Sequence, residues 1–196
     1  MLLDKGAEVD RATESGVTPL YIACQNGHVD AARLLLEKGA EVGRATENGQ
    51  TPLHAACGKG HVDAARLLLD NGAAVDRTTK RGSTPLSIAK RKGHSAVVAL
   101  LEEHLYPLHA TAKAGDVDAI ARLLDDGAAI DQTKEDGETP LWTASFEGHA
   151  NVSRLLLDRG ASVDHGDDYG QTPLWVACLK GRVDICLLYT SASPRD

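Results

Sequence analysis

Apolar positions in this chain form short paired stripes that return every 33 residues. One copy, residues 46–78, reads TENGQTPLHAACGKGHVDAARLLLDNGAAVDRT. Thr51 can cap a helix with its hydroxyl, and Pro52 suits the first helical position, where its missing N–H is not needed. That predicts a first helix to about Cys57, ended by Gly60. Val62 and Asp63 open a second helix, with the acid in the first turn where the helix dipole favours it. Ala64, Ala65 and Leu67–Leu69 form its apolar side, and Gly72 closes it as a left-handed cap. Residues 73–80 then lead through Asp76 towards Gly82 as a turn-rich link. Each helix is near the length at which isolated helices are marginal. Stability therefore has to come from stacking one copy on the next.

The step is marked by Thr-Pro-Leu at Thr18, Thr51, Thr84, Thr139 and Thr172, with the variant Tyr106-Pro107-Leu108 between the third and fourth. The spacings run 33, 33, 22, 33 and 33. A period of this size describes a row of small helical units, which offers a binding surface more readily than a catalytic pocket. The 22-residue step removes 11 residues. Ser95–His104 reads as a second helix followed almost at once by Pro107, so the glycine cap, the Gly-Ala pair and the loop are missing. The expected organisation is residues 1–105 as a partial repeat plus repeats 1–3, and residues 106–186 as repeats 4–6. The two are read as one continuous stack with an irregular junction near 104–107; the competing reading is a second array starting near Tyr106. Met1-Leu2-Leu3 aligns with the middle of a second helix, because Gly6 matches Gly39 and Gly72. The chain thus reads as starting inside a repeat, without a polar cap. After Ile185 the leucine cluster fails, and residues 187–196 read as a non-repeat tail, of the kind a truncation, frameshift or cloning junction leaves.

The run from Gly49 through Thr51-Pro52-Leu53-His54, Ala55-Ala56-Cys57 and Gly60-His61 to Gly72-Ala73 resembles the ankyrin repeat. The resemblance covers about residues 2–186, with spacing and residue types agreeing over six units. It implies an all-α ankyrin-repeat solenoid of stacked antiparallel helix pairs with protruding hairpin-like loops. It also implies protein–protein recognition along the concave first-helix face and the loop tips, by a scaffold that is not an enzyme. The alternative, kept open by the missing N-terminal cap and the broken last repeat, is a regulatory or targeting array of a larger enzyme, channel or ubiquitin-ligase adaptor.

Composition narrows the partner. Only seven residues are aromatic, so core filling falls to Leu, Ala and Val. Residues 1–105 hold 13 basic and 13 acidic side chains, whereas residues 106–196 hold 8 and 15, which accounts for the whole net charge of −7. Such a chain is a poor ligand for nucleic acid; the acidic half favours a protein partner presenting a basic or apolar segment. No signal peptide or membrane-length apolar run is visible; the protein is expected to be intracellular, cytoplasmic or nuclear, and a monomer.

The residues that suggest chemistry fall on the repeat. Cys24, Cys57 and Cys178 each lie six positions after a motif Thr and read as small side chains at a packed helix seam, in a reducing compartment. His28, His61, His94 and His149 follow the inter-helix glycine, and His54 and His109 follow Pro-Leu; both sets read as structural hydrogen bonding. No metal-ligand spacing, nucleophile motif or phosphate loop appears, so no metal or cofactor is expected. Asn151-Val152-Ser153 fits a glycosylation sequon by chance.

One ladder stands out. Positions three and seven after the motif Thr share a helix face. They read Tyr21/Gln25, His54/Gly58, Ser87/Arg91, His109/Lys113, Trp142/Phe146 and Trp175/Leu179. The ladder turns strongly apolar in the last two repeats, beside Glu135, Asp136, Glu138, Asp168 and Tyr169 on nearby loops. Large aromatic anchors beside charge resemble a binding hot spot. The expected partner-binding residues are Trp142, Phe146, Trp175, Leu179, Tyr169, Glu138, Asp168 and, earlier in the ladder, Arg91. The competing expectation for Trp142 and Trp175 is packing against loop stems.

Overall fold

Each motif threonine caps a helix. In the computed structural model, which describes residues 6–191, the hydroxyl oxygens of Thr18, Thr51, Thr84, Thr139 and Thr172 accept from the backbone N–H three residues on, at 3.1–3.4 Å. Proline follows at the first helical position in every case. Tyr106 has no such oxygen, and the helix it precedes starts without a side-chain cap.

Two compact units result, Met1–Leu105 and Tyr106–Asp196. The first holds α1 (Pro19–Gln25), α2 (Val29–Glu37), α3 (Pro52–Lys59), α4 (Val62–Asp70), α5 (Pro85–Lys92) and α6 (Ser95–Leu105). The second holds α7 (Pro107–Ala114), α8 (Val117–Asp125), α9 (Pro140–Glu147), α10 (Ala150–Asp158), α11 (Pro173–Leu179) and α12 (Val183–Ser191). All regular structure among the described residues is helical. Within each unit every odd helix packs on its even partner and on the odd helix of the next repeat, and successive even helices also pack together. No helix among the described residues is long and apolar enough to cross a membrane.

The cores follow the apolar stripes. In the first unit Leu20, Leu53, Leu68 and Leu101 are fully buried among Ala56, Ala64, Ala65 and Ala89. In the second unit Leu108, Ile120, Leu141 and Leu156 take that place. Small residues let the short helices approach closely, and leucines fill the space between layers. The second helices end as the glycines require: Ala73 N–H donates to Leu68 O and Gly72 N–H to Leu69 O, with Gly72 at φ 81°. This double bond pattern satisfies carbonyls that the helix end would otherwise leave open.

Between the pairs stand five-residue fingers. Thr46 N–H donates to Gln50 O and Gly49 N–H to Thr46 O, and the pattern recurs at Thr13–Val17, Thr79–Ser83, Lys134–Glu138 and Asp167–Gln171. Neighbouring fingers join through one backbone bond: Glu47 N–H to Ser15 O and Lys80 N–H to Asn48 O in the first unit, and Asp168 N–H to Asp136 O in the second.

The 22-residue step is visible as a lost finger. α6 runs one residue past the expected end, to Leu105, and α7 opens at Pro107. At the other end, loss of the leucine cluster does not stop the last helix: α12 continues to Ser191 with Ile185 buried. Part of the stretch read as a non-repeat tail is therefore helical. Residues 192–196, and the mid-helix start read at Met1–Leu3, lie outside the described residues.

Leu68 sits in a central layer with no exposed surface. Leu68→Ala is expected to lower unfolding free energy by about 2–5 kcal/mol, measured by chemical denaturation. A loss no larger than that of an exposed substitution such as Asp70→Ala would contradict the core assignment.

Candidate partner-binding surface

The side chain three positions after the motif Thr ties one repeat to the next. Tyr21 Oη donates to Gln50 Oε1 at 2.9 Å. The ring nitrogen His54 Nε2 lies 3.2 Å from Ser83 O and His109 Nε2 lies 2.9 Å from Glu138 O, and Trp142 Nε1 donates to Gln171 O at 3.0 Å. All four bridges span 29 residues. Each reaches the residue just before the next motif position and pins the following finger. Ser87, whose repeat lacks a following finger, turns its hydroxyl back to Thr84 O. A carbonyl can only accept, so the bonded nitrogens of His54 and His109 carry the hydrogen.

The other histidine set makes the reverse connection. His94 Nε2 reaches Gly58 O at 3.3 Å, and His149 Nε2 reaches Lys113 O at 3.0 Å. The ring lies over the glycine of the preceding repeat. A methyl group on Gly60 would come within 2.8 Å of His94, and one on Gly115 within 2.7 Å of His149. Both glycines also hold positive φ, so glycine is required there twice over. Arg182 replaces the histidine in the last repeat and sends its Nε–H to Phe146 O at 3.4 Å.

The cysteines divide. Cys24 and Cys57 are fully buried at the seam, and burial pushes both thiols up to about 12. Cys178 departs from the expectation: it is exposed, because no further helix among the described residues covers that side of α11, and its sulfur lies 3.4 Å from that of Cys186. Ser153 of the sequon is wholly buried, which agrees with a chance match.

Seven of the eight expected partner-binding residues fall in the second unit; Arg91, on α5, belongs to the first. Trp142 is only 8% exposed. It is held by the Gln171 carbonyl and stacks on Phe146 with centroids 5.2 Å apart and planes at 11°. For this tryptophan, packing against a loop stem is what the structure shows. Trp175 differs: no finger follows it among the described residues, and it stays 47% exposed. Leu179 is 62% exposed and Tyr169, on the fingertip, 84%. Lys180 places its ammonium 4.1 Å from the centre of the Phe146 ring, a contact the sequence ladder missed. Its only signal was a cation adjoining an apolar ladder position. Glu138 is partly buried, its carboxylate 3.4 Å from Lys134 and its carbonyl held by His109. Asp168 stands at the fingertip, its N–H engaged with Asp136 O.

A sequence model of the family described as "Ankyrin repeats (3 copies)" matches residues 1–46, 43–107 and 108–192. The chain belongs to the ankyrin-repeat family. The ankyrin assignment agrees with the helix pairs, the fingers and the glycine–histidine register. Among solved structures, the human ASB11 ankyrin repeat domain is similar at 35% identity, covering 90% of this chain and 84% of that one with a TM-score of 0.49. No curated protein matches. Ankyrin repeats are in general modules of protein–protein interaction.

The tethering histidines are expected to make the stability of this ankyrin array pH-dependent. Burial lowers the pKa of His109 to about 4, helped by Lys134 and opposed by the Glu138 carbonyl and Asp136; burial likewise lowers that of His54. Nδ1 of His109 has no partner, since Tyr106 stands where a threonine would offer one. As pH falls below the ordinary value of 6.5, the unfolded chain takes up protons first, and stability drops until folded His109 titrates near 4. Its share is roughly 2–4 kcal/mol. Burial raises the pKa of Glu138, which acts in the opposite sense on acidification. Denaturation midpoints are therefore expected to fall between pH 6.5 and 4, less steeply in His109→Gln. Equal slopes in the two proteins would contradict the assignment.

Proposed function

We propose that this ankyrin array is a non-catalytic recognition module that binds a protein segment along first helices α9 and α11 and the adjoining fingertips. The observation that carries the reading is the concentration of exposed apolar side chains there: Trp175, Leu179 and Tyr169, with the Trp142–Phe146 stack on α9, the helix packed against α11. Large apolar groups left in water at neighbouring positions favour burial against a partner. Several of the histidines and cysteines that could suggest catalysis are otherwise engaged. Four histidines bond main-chain carbonyls, and the Cys24 and Cys57 thiols are buried and held protonated.

Charge defines the partner further. Residues 106–196 carry 8 basic and 15 acidic side chains, and Glu135 and Asp168 stand on the fingers. A segment with apolar anchors and basic flanks fits this surface, the anchors giving affinity and the charges speeding encounter. Trp142 supports Phe146 from beneath and is assigned packing more than contact.

Phe146→Ser and Leu179→Ser together are expected to weaken partner capture by about tenfold or more, with the helical circular dichroism unchanged. Partner can be captured on immobilised protein and quantified by titration of the purified binder. Unchanged affinity in the double variant would remove this surface from consideration.

A further inference from the structure

Arg91, set apart from the other ladder residues, belongs to a different site. A cleft of about 320 Å³ in the first unit lies between the second and third fingers and α5. Its lining includes Asn48, Gln50, Thr79, Lys80, Arg81 and Arg91, and no carboxylate. None of the three cations has an ion-pair partner among the described residues. The neutral groups are also oriented to donate. Gln50 Oε1 is occupied by Tyr21 Oη, which leaves the Gln50 amide N–H groups free. Thr79 Oγ1 accepts from Ser83 N–H, which leaves its hydroxyl hydrogen available. A pocket with three cations, further N–H and O–H donors and no carboxylate is complementary to an anionic oxygen.

We infer that this cleft is a second docking site, specific for a carboxylate-bearing segment of a protein partner, with Arg81 and Arg91 as its principal contacts. The neighbouring surface selects against a polyanion. The adjacent cleft between the first and second fingers is lined by Glu8, Asp10, Glu14 and Glu47 with Arg11 and Arg44. A nucleic-acid backbone running from one cleft to the next would meet these acids, and residues 1–105 carry no net positive charge. A short acidic run, entering one cleft only, avoids that repulsion. Guanidinium groups suit this task because they can offer paired donors to one carboxylate. The site belongs to the first unit and takes the opposite kind of ligand to the apolar surface of the second.

The test uses the full chain and three fluorescent probes: a Glu-rich peptide, the same peptide with Gln for Glu, and a single-stranded oligonucleotide of matching charge. The Glu peptide is expected to bind about tenfold more tightly than the Gln peptide, and more tightly than the oligonucleotide. Arg81→Ala combined with Arg91→Ala should abolish that preference. Both residues are exposed, so folding is not at stake. Lys113→Ala, which removes an exposed cation from the second unit, should leave it intact, as should Phe146→Ser with Leu179→Ser. Equal binding of the two peptides, equal losses in Lys113→Ala and the arginine variant, or an oligonucleotide that binds as tightly as the Glu peptide would each overturn the proposal.

Discussion

No helix here can stand by itself, and everything else depends on that. The helices run 7 to 11 residues, where the gain from each backbone bond scarcely exceeds the cost of nucleation. One helix pair leaves its apolar sides open; only contact with the next repeat closes them. The contact is directional as well as apolar. A ring or phenol three residues after the motif Thr reaches forward to pin a finger, and an imidazole over a glycine reaches back to the preceding first helix. Apolar stacking alone would tolerate sliding of one layer over another. These two sets of bonds fix the register within each unit.

The same requirement decides which residues are free to recognise anything. Positions occupied by the threonine cap, the tether and the glycine–imidazole pair are committed to the seam. Position seven after the motif Thr faces outward on the first helix and carries no such duty. It holds Gln25, Gly58, Arg91, Lys113, Phe146 and Leu179, a range of chemistries that no shared packing role would select. Trp142 shows the boundary between the two classes. It lies beside the outward surface, yet its indole N–H is taken by Gln171 and its face by Phe146.

Much of this was legible in the chain itself. Thr-Pro, the glycines and the leucine clusters each have a local physical cause, so helix starts, helix ends and core residues could be read without tertiary information. The tethers could not. Their acceptors are mostly main-chain carbonyls, which leave no mark in a side-chain pattern, and the partner lies 29 residues away. The recurrence of His54 and His109 pointed to hydrogen bonding but not to the atom that accepts. Cys178 was expected at a packed seam and Trp175, in the competing expectation, against a loop stem; both are exposed for one reason. Each occupies a position that the next repeat buries elsewhere in the chain, and the period carries no information on whether another repeat is stacked there. Lys180 over Phe146 was missed because the two are 34 positions apart, and adjacency across a seam is not visible along the chain.

The two candidate surfaces would act at different stages of binding. Unpaired cations around Arg81 and Arg91 act over about a Debye length, close to 8 Å at physiological salt, so they influence how often and in what orientation a partner arrives. Apolar contact at Phe146, Trp175 and Leu179 acts only when water is expelled, so it governs how long a partner stays. A segment carrying acidic residues alone would gain speed from the first surface and little residence from the second. One carrying apolar anchors with basic flanks would gain the reverse, and would be repelled at the arginine cleft. The charge difference between the units would therefore do more than set solubility. It would let nearly uniform repeats discriminate between partner segments by sign, with the discrimination placed at position seven and at the fingertips, where the stacking requirement leaves the sequence free.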